Sequence, residues 1–212
     1  MPAKLPHYWP EAVCYLKKED KVLASLIDTY PLAKLRLKKD SFTTLARAIC
    51  GQQISVKAAD SIWARVVQVA KGSDRKILPQ NILALSIDAL RKCGLSLRKV
   101  EYIRALAVAF VEKKISSARL ARLDDKRVKE ELVSLKGIGP WTADMYLMFN
   151  LWRPNILPLG DLGLIRAIEI QYLNGKKSQR EEIKRVTQKW EPYSTVAVWY
   201  LWRSLDPLPV EY

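Results

Sequence analysis

The stretch LKGIGPWTA, residues 135–143, places two glycines and a proline between segments with helical spacing, in a chain of 212 residues with only 8 glycines. Gly137 and Gly139 can adopt a positive φ or let another backbone approach closely. Pro140 suits the start of a helix, where its missing N–H is not needed. We therefore predict a helix, a tight hairpin, and a second helix that starts at Trp141.

A hairpin of this kind exposes the free N–H groups at the start of its second helix, together with the positive end of the helix dipole. Such a surface binds a phosphate oxygen without reading the base sequence. Ile138 is expected to turn inward and hold the hairpin against both helices. An ordinary tight connection between antiparallel helices is the alternative. The candidates for phosphate contact are Gly137, Ile138, Gly139 and Thr142.

The charge of the chain points to a polyanionic partner. Lys and Arg number 36 against 22 Asp and Glu, a net charge of +14. Nucleic acid is the commonest partner of so basic a protein; a basic surface of no special purpose is the alternative. The chain has no apolar run of membrane-spanning length and no signal-peptide core at its start. We expect an intracellular protein without a membrane partner.

Cysteine and histidine are too sparse for several kinds of site. Cys14, Cys50 and Cys93 lie far apart, and His7 is the only histidine. This argues against a disulfide framework, a Cys-rich zinc site, an iron–sulfur cluster and a Ser-His-Asp triad. Any hydrolysis must therefore depend on carboxylates, lysines or aromatic side chains.

Helical spacing recurs along the chain, and strand alternation is hard to find. We predict an all-α protein of about ten helices with short connections. Ser86 and Ser96 are expected to cap two of them. The spacing of Leu16, Leu23, Leu26 and Ile27 predicts a single helix that ends at Tyr30-Pro31.

Four segments together resemble the helix–hairpin–helix DNA glycosylase superfamily, and within it the 3-methyladenine DNA glycosylase II family. They are GQQIS (51–55), CGLSLRKVEYIRALA (93–107), LKGIGPWTADMYLM (135–148) and KWEPYSTVAVWYLWR (189–203). Each is weak alone, but their order and spacing are specific. The last segment departs from the family pattern, since Ser194 stands where an arginine is usual.

The resemblance implies two helical lobes with an active-site cleft between them. Residues 41–153 would form a central lobe containing the helix–hairpin–helix. Residues 1–40 and 154–212 would form the second lobe. The chain resembles the compact members, which lack the N-terminal β-rich domain of some relatives.

The resemblance also implies a catalytic aspartate at a fixed distance after the hairpin. In the run PLGDLGLIR, Asp161 follows Trp141 by twenty positions, and Gly160 replaces the first acid of the family's pattern. An aspartate at a helix start can also be only an N-cap. In bifunctional relatives a lysine stands at the position of Trp141 and attacks the sugar. Trp141 has no amine, so a monofunctional enzyme without lyase activity and without an iron–sulfur cluster is expected.

The remaining site residues are also implied by the resemblance. Gln53, with Ile54 beside it, would fill the gap left by a flipped base, although Gln53 could simply cap its helix. Trp141 and Trp202 would stack on the base, although core packing is the usual role of a tryptophan. Met145 and Tyr146 could also line the base pocket. The backbone carbonyls of Val133, Leu135 and Ile138 would hold a structural Na⁺ or K⁺ in the DNA-bound state only.

The predicted function is hydrolysis of the N-glycosidic bond of alkylated purines in duplex DNA by base flipping, with no cofactor required for the chemistry. Two alternatives remain: the same fold acting on hypoxanthine, ethenoadenine or a mispaired base, and a non-catalytic helix–hairpin–helix DNA-binding protein. We expect a monomer whose partner is damaged duplex DNA, in the cytoplasm or nucleoid of a prokaryote or the nucleus of a eukaryote.

Overall fold

The computed structural model describes residues 5–31, 40–70 and 77–205, and the regular structure in these ranges is entirely helical. The all-α prediction is confirmed there. The α-helices are α1 (Trp9–Glu19), α2 (Lys21–Thr29), α3 (Ser41–Gly51), α4 (Val56–Ala70), α5 (Pro79–Ala84), α6 (Ile87–Lys92), α7 (Leu97–Val111), α8 (Ser117–Arg122), α9 (Asp125–Val133), α10 (Pro140–Phe149), α11 (Leu162–Tyr172), α12 (Arg180–Thr187) and α13 (Ser194–Leu205), with a 3-10 helix at Gln188–Trp190.

Two of the predicted helix starts are confirmed by their capping bonds. Ser86 Oγ accepts a hydrogen bond from the backbone N–H of Ala89 at 3.1 Å, and Ser96 Oγ accepts one from Lys99 at 3.3 Å. A side-chain oxygen at the N-cap satisfies one of the N–H groups that the helix itself leaves unpaired. These local bonds explain why α6 and α7 begin where the sequence predicts.

The prediction of one helix through Leu16, Leu23, Leu26 and Ile27 is wrong, although its predicted end at Tyr30-Pro31 agrees with the end of α2. Asp20 adopts an extended backbone, which ends α1, and its Oδ1 accepts the N–H groups of Val22 and Leu23. Apolar spacing alone missed this break because the apolar faces of α1 and α2 are both buried.

The chain divides into two compact units, one of Met1–Leu37 with Leu147–Glu211 and one of Lys38–Tyr146. The sequence places the boundary after residue 153, whereas the structure places it inside α10. The reason is that Phe149, in the last turn of α10, stacks on Trp202 of α13, with ring centroids 6.3 Å apart.

The unit formed by residues 38–146 is centred on α7, against which α3 and α5 pack. Phe42 of α3 meets Phe110 of α7 edge-on, with centroids 5.5 Å apart. Lys99 of α7 also donates to the carbonyl of Cys50 at the end of α3, at 2.7 Å. Burial lowers the pKa of Lys99, and the negative end of the α3 dipole suits a cation there.

The unit formed by both ends of the chain contains a buried carboxylate network. Asp20 Oδ2 accepts hydrogen bonds from Tyr172 Oη at 2.9 Å and from Trp190 Nε1 at 3.3 Å. Burial, with the charge of Asp20, raises the pKa of Tyr172. The network joins the N-terminal helix pair to α11 and to the 3-10 helix, so residues distant in sequence share one core.

The part of the chain described by the structure contains no helix with the length and apolar character needed to cross a bilayer.

Candidate active site

Asp161 is the N-cap of α11, and only 8% of the residue is exposed. Its Oδ1 accepts the backbone N–H of Leu164 at 2.6 Å. The aspartate therefore caps its helix, in agreement with the alternative interpretation of the sequence. The cap also fixes the carboxylate at the positive end of the α11 dipole, where a negative charge is stabilised.

The same carboxylate oxygen receives a second donor. Trp202 of α13 donates its indole N–H to Asp161 Oδ1 at 2.9 Å. Trp202 is buried, and its ring stacks on Phe149 with an interplanar angle of 11°. Two donors from different elements thus hold the Asp161 side chain in one orientation. Sequence reasoning named Trp202 for a base pocket and missed this bond.

Gly163 is part of the same constellation, and sequence reasoning missed it as well. A Cβ at this position would lie 3.1 Å from Asp161 Oδ1 and 3.7 Å from Nε1 of Trp202. A contact of 3.1 Å between carbon and a bound carboxylate oxygen requires the oxygen to move. The glycine therefore leaves room for the hydrogen bond between Trp202 and Asp161. The sequence signal that could have indicated this role is the position of the glycine, two residues after Asp161 in the first turn of α11.

The hairpin between α9 and α10 has the predicted geometry. Gly137 has a φ of 88°, and a Cβ there would overlap the ring of Tyr102. The N–H of Ile138 donates to the carbonyl of Leu135 at 3.1 Å, and Ile138 is buried. Pro140 is the first residue of α10. Helix, tight turn and second helix thus follow one another as the sequence predicts, with a turn that requires glycine at 137.

Gln53 and Ile54, the residues predicted to fill the gap left by a flipped base and called the wedge from here on, lie beside the hairpin. Gln52 Nε2 donates to the carbonyl of Gly137 at 2.9 Å. The next residue, Gln53, is exposed and has a φ of 57°, a left-handed conformation that is uncommon for residues other than glycine. Ile54 is 38% exposed. The structure therefore joins two segments, far apart in sequence, that we predict to contact DNA.

Helix α10 carries the other predicted site residues. Trp141 is half-buried, whereas Thr142, Met145 and Tyr146 are buried. The hydroxyl groups of Tyr146 and Ser41 share a hydrogen bond of 2.8 Å, and burial raises the pKa of Tyr146. Among these residues Trp141 thus offers the most accessible side chain, while Tyr146 packs within its unit. Because Thr142 is buried, the accessible part of the hairpin consists of the residues that precede it.

A buried acid in α10 was not anticipated. Asp144 pairs with Lys129 of α9 at 2.5 Å and has 8% of its side chain exposed. Burial raises the pKa of Asp144, and the Lys129 ammonium opposes this effect. The ion pair joins the two helices of the hairpin, so we assign Asp144 to the support of the motif.

Residues 46–192 match the model of the HhH-GPD superfamily of base excision DNA repair proteins. A DNA-3-methyladenine glycosylase of Saccharomyces cerevisiae is 38% identical over 174 residues, which cover 79% of this chain and 58% of that protein. The chain therefore spans little more than half the length of this relative.

Two solved structures share the fold over nearly the whole chain. A DNA-3-methyladenine glycosidase of Bacillus halodurans has a TM-score of 0.78 at 34% identity, covering 95% of this chain and 92% of that one. A 3-methyladenine DNA glycosylase of Schizosaccharomyces pombe, in complex with abasic DNA, has a TM-score of 0.81 at 25% identity, covering 95% of this chain and all of that one.

Proposed function

The chain belongs to the HhH-GPD superfamily of base excision DNA repair proteins, and from this premise we propose that it is a monofunctional DNA glycosylase. It hydrolyses the N-glycosidic bond of alkylated purines, of the 3-methyladenine and 7-methylguanine type, in duplex DNA and leaves an abasic site. The observation that carries this proposal is the Asp161 carboxylate, capped onto α11 and oriented by Trp202. The names of the similar glycosylases support the substrate class.

Binding begins at the hairpin. The N–H groups at the start of α10 and the dipole of that helix attract a backbone phosphate; Gly137 permits the turn, and Gly139, with open space around its Cβ position, allows the strand to approach. A net charge of +14 strengthens this attraction without selecting a sequence. The hairpin anchors the duplex while a base is extruded.

The hairpin also suits a structural Na⁺ or K⁺ in the DNA-bound state. The carbonyls of Val133, Leu135 and Ile138 would hold it. Val133 ends α9, where carbonyls lack intrahelical partners. The carbonyl of Leu135 accepts the N–H of Ile138 and keeps a second lone pair. A cation there would supply positive charge beside the phosphate, and the chemistry at the base does not depend on it.

Base flipping opens a gap in the duplex that must be filled. Flipping costs a few kcal/mol, and a damaged base costs less. Gln53 and Ile54 are exposed residues just after the end of α3, and Gln53 has a left-handed backbone. The bond between Gln52 and Gly137 ties this turn to the hairpin. The wedge is therefore tied to the phosphate anchor.

The flipped purine is recognised by its charge. An N-alkylated purine such as 3-methyladenine is cationic, and an indole face attracts a cation by roughly 0.5–2 kcal/mol. Trp141, half-buried at the start of α10, provides this face. From the family resemblance we also propose Trp202, Met145 and Tyr146 for contact with the base; all three are buried in this structure, so base binding would have to expose them.

The chemical step needs little acid catalysis because a cationic purine is already a good leaving group. The bond between C1′ and the base nitrogen breaks, and its electron pair leaves with the base. The Asp161 carboxylate stabilises the positive charge that develops on the sugar. Water then adds to C1′ and loses a proton, to Asp161 or to solvent. Because Trp141 has no amine, no Schiff base forms and the strand is not cleaved.

Release of free base from methylated duplex DNA tests this function. We expect the wild-type protein to release 3-methyladenine and the Asp161→Asn variant to lose at least about a hundredfold in single-turnover rate, the range found when one charge-stabilising group is removed. No release by the wild-type protein contradicts the enzyme assignment. Undiminished release by the variant contradicts the role of Asp161.

Borohydride trapping tests the absence of lyase activity. A Schiff base between enzyme and sugar would be reduced to a stable protein–DNA adduct. We expect no adduct under conditions in which base is released. A trapped adduct would contradict the monofunctional assignment.

Duplexes with hypoxanthine, ethenoadenine or a mispaired base, assayed in parallel for base release, measure the lesion range.

The proposed substrate also sets the expected location and assembly. An enzyme acting on chromosomal DNA works in the nucleoid or cytoplasm of a prokaryote, or in the nucleus of a eukaryote. One chain carries the hairpin, the wedge and Asp161, so a monomer suffices. Sedimentation of the protein with a lesion-containing duplex is expected to give one protein per duplex.

A further inference from the structure

Two apolar side chains at the candidate active site face solvent. Leu159 is 52% exposed and Leu162 is 85% exposed, the largest value for any large apolar residue in the described ranges. Scattered exposed leucines are ordinary on protein surfaces. These two, however, lie on either side of Asp161, and neither was anticipated from the sequence.

The chain geometry keeps both leucines close to the carboxylate. Leu162 is the first residue of α11 and follows Asp161 directly, so their Cα atoms are about 3.8 Å apart. Leu159 is two residues before Asp161, and Gly160 between them has open space around its Cβ position. Asp161 itself is only 8% exposed. Leu159 and Leu162 are therefore the exposed large apolar residues nearest in sequence to the candidate catalytic carboxylate.

We propose that Leu159 and Leu162 form an apolar contact surface for the deoxyribose rings of the damaged nucleotide and its neighbours. The inference rests on the proposed function. The cationic surface of the protein suits phosphate, whereas the C–H edges of deoxyribose require an apolar partner. Leucines packed on the sugar also exclude water from around Asp161, which strengthens its interaction with the charge that develops at C1′.

Leu97 offers a matched control for Leu162. Each leucine is the first residue of a helix and follows an N-cap whose side chain accepts a backbone N–H, Ser96 for α7 and Asp161 for α11. Leu97 is also exposed, at 49%. The substitutions Leu162→Ala and Leu97→Ala therefore have the same effect on helix propensity.

The test measures binding of each variant to a duplex with a tetrahydrofuran abasic site, over a range of salt concentrations. We expect Leu162→Ala to weaken binding about tenfold, since it removes most of one buried leucine from the complex. The slope of log K against log salt should stay unchanged, because no phosphate contact is lost. Leu97→Ala should bind like the wild-type protein, and Leu162→Met should retain most of the affinity.

Two outcomes would overturn the proposal. One is that Leu162→Ala and the Leu159→Ala/Leu162→Ala double variant bind as tightly as Leu97→Ala. The other is that the loss comes with a smaller salt slope, which would show a lost phosphate contact. Because the DNA ligand is already abasic, the binding test can be interpreted even if the wild-type protein releases no base. Failure of the proposed function and failure of the leucine contact are therefore distinguished. Thermal unfolding of each variant checks that the fold persists.

Discussion

At Asp161 one carboxylate oxygen has two structural partners. Oδ1 accepts the N–H of Leu164, which lies in the first turn of α11, and the indole N–H of Trp202, which comes from α13. Hydrogen bonds to a charged group are worth about 1.5–3 kcal/mol each. The second donor fixes the orientation of the carboxylate, which the proposed stabilisation of a developing positive charge requires.

We predict that Trp202→Phe lowers the single-turnover rate of base release about ten- to hundredfold, because an aromatic ring is kept but the N–H donor to Asp161 is lost. Binding of a tetrahydrofuran duplex should change much less, since Trp202 is buried against Phe149. Trp63→Phe, at a buried tryptophan of α4, is the control and should keep the wild-type rate. Equal rates for the two variants would refute the positioning role of Trp202.

A second residue-scale prediction concerns Gly163. Gly163→Ala would place a methyl group 3.1 Å from Asp161 Oδ1. We expect a fall of about tenfold or more in single-turnover rate, because small displacements of a catalytic group are costly. Gly160→Ala is the matched control, since nothing lies within 4 Å of its Cβ position. A Gly163→Ala enzyme as active as Gly160→Ala would show that the carboxylate tolerates the shift.

At the scale of the element, the two glycines of the hairpin between α9 and α10 have different roles. Gly137 is needed for structure, since its φ is positive and its backbone packs on Tyr102. Gly139 has nothing within 4 Å of its Cβ position and precedes the first turn of α10. The open side of the turn is the side that a phosphate would approach.

We therefore predict different outcomes for the two glycines. Gly137→Ala should lower the free energy of unfolding by roughly 2 kcal/mol or more, through backbone strain and overlap with Tyr102. Gly139→Ala should leave the free energy of unfolding nearly unchanged but weaken DNA binding, because its methyl group would lie where the phosphate approaches. Denaturant unfolding and duplex titration measure both. If neither variant weakens DNA binding, the assignment of the hairpin as the phosphate anchor is contradicted.

At the scale of the whole molecule, the net charge of +14 supplies attraction to DNA that is independent of sequence. Selection of a damaged base must then come from a small number of uncharged and acidic groups, for which Asp161 and Trp141 are our candidates. Under the proposed function, this separation would let a basic protein hold any duplex weakly and act only on damaged bases.

The helical content and the hairpin were predictable because their causes are local. Serine and aspartate caps act within three residues, apolar spacing repeats within a turn, and glycines permit a turn at their own position. Apolar spacing alone failed at Asp20, whose capping bonds begin α2, because the apolar faces of α1 and α2 are both buried. The run PLGDLGLIR, twenty positions after Trp141, is also visible in the sequence, but the resemblance to a family was needed to make Asp161 the candidate carboxylate.

Only the tertiary structure decided which groups meet at that carboxylate. Trp202 is 41 residues from Asp161, and Gln52 is 85 residues from Gly137, yet each pair forms a hydrogen bond. The space left by Gly163 and the exposure of Leu162 likewise depend on how helices pack. Packing sums many weak contacts between elements distant in sequence, so no local pattern records it. The sequence by itself determined the helices, the turn and the acid, and the fold determined how that acid is held.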